Sequence, residues 1–73
     1  MPEDNEFDVR REIVALLLDK VHQDAFPSNA MMDSIEQLLE PDETAAYAGV
    51  LMEKVRESEF PSLELIKRLR NLV

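Results

Sequence analysis

Apolar residues recur along this chain at intervals of three and four, the spacing that builds one face of an α-helix. Val9, Ile13, Val14, Leu16, Leu17, Leu18 and Val21 fill an arc of roughly 200° on a wheel advancing about 100° per residue. Asp8, Arg11, Glu12, Asp19, His22 and Gln23 take the opposite arc. So wide a stripe predicts a helix packed on two sides, by a hairpin partner and by either the third helix or a second chain. Exposure of Val14 and Leu18 would point to a homodimer, and their burial within one chain would count against it. Three narrower stripes follow: Met31, Met32, Ile35, Leu38 and Leu39; then Tyr47, Val50, Leu51, Met52 and Val55; then Leu65, Ile66, Leu69, Leu72 and Val73. The pattern predicts four helices. They run from Asn5 or Glu6 to Asp24, from Asn29 to Leu39, from Asp42 to Ser58 with Pro41 at or just before the first turn, and from Leu63 to the C-terminus.

The joints between these helices carry the same three letters. Phe26-Pro27-Ser28 returns as Phe60-Pro61-Ser62, 34 positions on. Proline disfavours helical geometry in the residue before it, so a helix must end ahead of each joint. The serine hydroxyl can then cap the next helix by accepting a bond from a free backbone N–H, and the phenylalanine is placed to plug the open end between paired helices. Laid over residues 51–73 without a gap, residues 17–39 repeat Leu17, Lys20, Val21, Phe26, Pro27, Ser28 and Leu38 as identical residues. The fold class read from this is all-α: a compact four-helix domain made of two tandem helix–turn–helix hairpins, with a 34-residue internal repeat about a pseudo-two-fold axis. Residues 1–5 form an acidic tail, residues 6–73 the domain, and the repeat units are 6–40 and 41–73. Tetratricopeptide repeats share the period, but their Trp, Gly-Tyr and small-residue positions are missing here. The paired joints resemble those of short helical proteins of actinobacteria; the resemblance covers most of the chain and implies no activity.

Composition narrows the class. A chain of 73 residues has room for one modest core, and ordering it costs about 1.5 kcal/mol per residue, so its 45% hydrophobic content must be used nearly in full. With no cysteine there is no disulfide, zinc knuckle or thiol chemistry. The acidic start Met1-Pro2-Glu3-Asp4 lacks the basic-then-apolar order of a signal peptide. The longest apolar run, Ile13 to Leu18, is far short of the roughly 20 residues that span a bilayer. The expected location is therefore cytoplasmic. A net charge of −8 disfavours nucleic acid and anionic membrane as partners. That charge is uneven, with ten acids and three bases in residues 1–40 against six acids and five bases in residues 41–73.

Candidate chemistry is sparse. Under the 34-residue offset, Asp33 and Glu36 of the second helix occupy the wheel positions of Lys67 and Arg70 of the fourth, and Ser34 that of Arg68. Two similar helices thus show opposite outward charge, acidic Asp33, Glu36 and Glu40 against basic Lys67, Arg68 and Arg70. Charge-steered contact with another protein or a second copy would use such faces, although bases near a helix C-terminus are also favoured by the helix dipole. Ala45, Ala46 and Gly49 on the third helix could admit a close helical neighbour. Asp33-Ser34-Ile35, near mid-chain of a small acidic helical protein, resembles the Asp-Ser-Leu motif of acyl carrier proteins, which implies phosphopantetheine on Ser34. The chain departs from that family where Met31 and Met32 precede the motif and where Ser34 lies inside a helix. Asp19 and His22 share a helical face, yet one histidine without cysteine makes a poor metal set. A single glycine cannot build a phosphate loop. The reading is a non-enzymatic protein–protein interaction module, without metal or cofactor, whose partner is another protein or a second copy; the alternative is a carrier protein modified on Ser34.

Overall fold

The computed structural model describes residues 8–59 and 62–73. All regular structure among them is helical: α1 (Val9–Gln23), α2 (Asn29–Leu38), a 3₁₀ turn (Pro41–Glu43), α3 (Thr44–Glu57) and α4 (Leu63–Asn71). The fold is all-α, with α1 packed on α2 and α3 packed on α4 and on the 3₁₀ turn. The chain divides into two units at Leu39/Glu40, one residue from the boundary read in the sequence. The predicted start of the first helix at Asn5 or Glu6, the acidic tail, and Phe60-Pro61 lie outside the described residues.

In the first unit, Asp8 opens α1 by accepting the Arg11 N–H at 3.2 Å. The helix ends at Gln23 as Asp24 turns extended, its N–H still donating to the Lys20 carbonyl at 3.0 Å. Three residues on, Pro27 forbids a restart before Ser28, whose Oγ accepts the Met31 N–H at 3.1 Å and begins α2. Val14 and Val21 of α1, with Met32 and Ile35 of α2, are buried. A long-range tie complements them: the Arg10 guanidinium donates to the Leu38 carbonyl at 2.6 Å. That carbonyl belongs to the last turn of α2, where no intrahelical donor remains, so α1 completes the end of its neighbour. Phe26 does not plug the joint as the sequence suggested. It is 94% exposed, and the half-buried residue of the joint is Pro27.

The second unit opens on the 3₁₀ turn, in which Glu43 Oε1 accepts the Glu40 N–H at 3.0 Å while the Glu43 N–H donates to the Glu40 carbonyl at 2.8 Å. Pro41 sits where a missing N–H is harmless, and α3 continues directly from the turn. Its buried line is Tyr47, Leu51 and Lys54, at i, i+4 and i+7. Met52, expected inward, is exposed because it stands off that line. Lys54 takes the inner position because a lysine stem is four methylenes long and can lie along apolar surface. α4 begins behind Ser62, whose Oγ accepts the Glu64 and Leu65 N–H groups at 3.1 and 3.4 Å.

α2 and α4 start 34 positions apart behind serine caps, yet they bury different faces. The buried positions are Met32 and Ile35 on α2 but Leu65 and Arg68 on α4. Under the 34-residue offset Met32 aligns with Ile66, which is exposed, and exposed Ser34 aligns with Arg68, which is buried. The inner stripe of α4 is Leu65, Arg68, Leu69 and Leu72: it keeps the three leucines of the face the sequence offset implies, takes in Arg68 and leaves out Ile66 and Val73, a rotation of roughly 50°. Both stripes satisfy helical spacing and share the three leucines.

Gly49 lies within α3, is exposed, and has a φ that any residue adopts. A Cβ built there meets nothing within 4 Å. Gly49→Ala is therefore expected to stabilise the chain by about 0.5–1 kcal/mol through helix propensity and a less flexible unfolded state. Urea unfolding followed by circular dichroism checks this; a loss of stability would mean that a neighbour needs the glycine.

Candidate interaction surface

The exposed large apolar residues of α1 fall on one line. Val9, Ile13 and Leu16, at i, i+4 and i+7, are 57%, 40% and 64% exposed. The wide apolar arc of this helix is thus used on one flank only. Val14 is buried and Leu18 half-buried, so a homodimer contact through that pair, as the sequence had suggested, is not available; the uncovered residues are the other three. Along one edge of the line stand Asp8, Glu12 and Asp19, within roughly 40° of one another on the wheel. All three are exposed. Asp8 is held by its cap, and Asp19 accepts the Gln23 side-chain amide at 3.0 Å.

The outward face of α4 is the counterpart in charge. Leu63 and Ile66 are 73% and 38% exposed, and Lys67 and Arg70 are exposed beside them. The rotation of α4 creates this mixed face, since it keeps Leu65 and Leu69 in and leaves Ile66 out. It also corrects one sequence-predicted site residue. Arg68 is not part of an outward basic face: only 7% of it is exposed, its stem lies in the buried stripe, and its Nη2 reaches Glu64 Oε2 at 3.2 Å. That pair is an acid-first i,i+4 arrangement with Glu64 half-exposed, a geometry worth about 0.3–0.5 kcal/mol.

The acidic residues predicted on the second helix are where the wheel put them. Asp33 and Glu36 are exposed on α2, and Glu40 is exposed just beyond it. All three take part in interactions within the chain. The outward face of α2 nevertheless lacks exposed large apolar residues among those described, which separates it from α1 and α4. Ser34 is exposed as the sixth residue of α2, and its hydroxyl donates to the Ala30 carbonyl at 3.1 Å. A carrier-type serine opens a helix instead, and back-bonding to the previous turn occupies the hydroxyl proton. Ala45, Ala46 and Gly49 are exposed on α3. Asp19 and His22 are exposed on α1, and no group of three metal-ligating side chains comes together among the described residues. No helix among those residues is long and apolar enough to cross a membrane.

Sequence reading missed three charged residues with structural work: Arg10, Lys54 and Arg68. The last two had a readable signal, since each completes an i, i+3/i+4, i+7 line with apolar residues. Arg10 had none, because its acceptor lies 28 positions away. Comparison with protein-family models, with curated proteins and with solved structures finds no match to this chain.

The different environments of neighbouring bases on α4 can be measured. Arg68→Ala is expected to cost about 1–3 kcal/mol through lost packing and a lost partner for Glu64. Lys67→Ala, one position away, should stay within about 0.5 kcal/mol of the parent. Equal costs in urea titrations would contradict the assignment of Arg68 to the interior.

Proposed function

We propose that this protein is a small non-enzymatic interaction module that binds another protein through the exposed apolar lines of α1 and α4. The observation that carries the reading is Val9, Ile13 and Leu16, three large aliphatic side chains in register on one helix and uncovered in the chain. Contiguous apolar surface of this kind marks contact sites on soluble proteins, and an amphipathic helix in a groove reads such i, i+4, i+7 anchors.

Energetics rank the faces. An exposed ion pair contributes roughly 0.2–1 kcal/mol, whereas fully burying one Val, Leu or Ile side chain contributes about 1.5–3 kcal/mol. The purely polar face of α2, with Asp33, Glu36 and Glu40, therefore serves steering better than affinity. The faces of α1 and α4 join both terms, apolar area for affinity and a flanking charge for orientation.

The test uses the parent chain and Leu16→Asp as baits in the source organism's extract, at low and at high salt, with intact mass of the bait read in parallel. The reading expects a stoichiometric partner on the parent, at least about tenfold weaker on Leu16→Asp, and an unmodified bait. A partner that binds both baits equally would remove α1 from the account. Added mass on Ser34 would replace the module by a carrier protein.

A further inference from the structure

The α1 line and the α4 face are complementary to each other in apolar surface and in charge. We propose that the acid-edged apolar line of α1 receives α4 of a second copy of the same chain. The inference rests on the interaction-module reading and names its partner.

α1 offers Val9, Ile13 and Leu16 beside Glu12 and Asp19, all exposed. A surface that covers it needs apolar side chains at helical spacing and positive charge alongside. Another α1 matches less well: it would set Glu12 and Asp19 against the same acids, with Lys20, exposed in line with Val9, Ile13 and Leu16, as the base among them. α2 fails twice, being acidic and lacking exposed large apolar residues among those described. α4 meets both needs, with Leu63 and Ile66 for the apolar line and Lys67 and Arg70 for the acids. Nor does the inward turn of Arg68 remove the complement, since the two bases that remain outward flank the exposed leucine and isoleucine.

The net charge sharpens the test. Two copies at −8 repel each other overall, so the proposed contact works against the mean field and depends on local pairing. Replacing Glu12 and Asp19 by lysine moves the net charge from −8 to −4, since each exchange adds two. If association were governed by overall repulsion, that variant would associate more tightly. The proposed contact instead predicts a weaker complex. Asp8 is left in place because it caps α1.

Sedimentation equilibrium over a wide concentration range reads the outcome, with circular dichroism confirming that each variant folds. The parent is expected to self-associate. Glu12→Lys/Asp19→Lys and Lys67→Glu/Arg70→Glu should each raise the dissociation constant by about tenfold or more. An equimolar mixture of the two variants should recover affinity, because the reversed α1 of one meets the reversed α4 of the other. A parent that stays monomeric at the highest concentration overturns the proposal, as does self-association indifferent to either exchange. A monomeric parent that still captures a foreign protein through Leu16 leaves the module reading standing with a different partner. A monomeric parent with no such capture ends both.

Discussion

The side of α4 that turns inward decides most of what distinguishes the second unit. The leucines at 65, 69 and 72 can be buried with Ile66 and Val73 on one flank or with Arg68 on the other. The second arrangement is the one adopted, and it draws Arg68 in. The guanidinium must then find a partner, and Glu64 one turn earlier supplies one at 3.2 Å. Turning that stripe in necessarily leaves Leu63, Ile66, Lys67 and Arg70 outward. A face that mixes aliphatic and basic residues is thus the reverse side of a packing choice.

The first unit makes a different compromise. α1 has more apolar surface than one neighbour can cover, and α2 is only ten residues long. Helices this short are marginal by themselves and depend on packing and caps. Here the caps are side chains placed by local sequence: Asp8 for α1, Ser28 for α2, Ser62 for α4. The Arg10 bond to the Leu38 carbonyl adds a link that spans the hairpin and ends α2 cleanly. What remains uncovered, Val9, Ile13 and Leu16, is the surplus of a long amphipathic helix paired with a short one.

Much of the architecture was legible in the sequence. Proline stops and serine caps act within three or four residues, so the starts of α2 at Asn29 and α4 at Leu63 could be read to the residue. The end of α1 was within one position. Faces were harder, because a stripe tells which residues can be buried together and not which of two overlapping stripes will be. The offset between the joints placed Ile66, the match of Met32, with Leu65, Leu69 and Leu72; the helix buries Arg68 with those leucines instead. The sequence placed Arg68 outward and gave Lys54 no place; both show that methylenes count as apolar when the head group has an outlet. Phe26 was misplaced because nothing in a three-residue motif says which way a side chain leaves a bend. The acidic set on α2 was legible as a surface. Its lack of exposed large apolar companions became visible only with the fold.

The orientation of α4 is open to a direct chemical test, since the chain contains no native cysteine. Leu65→Cys and Ile66→Cys each introduce a single thiol, one residue apart, whose rate of reaction with a thiol reagent can be compared with its rate in denaturant. In dilute, folded protein the account predicts strong protection for the thiol at position 65 and markedly weaker protection at position 66. The reverse order would show that α4 buries the face aligned with Met32, return Arg68 to the surface, and remove the mixed apolar–basic face on which the functional reading depends.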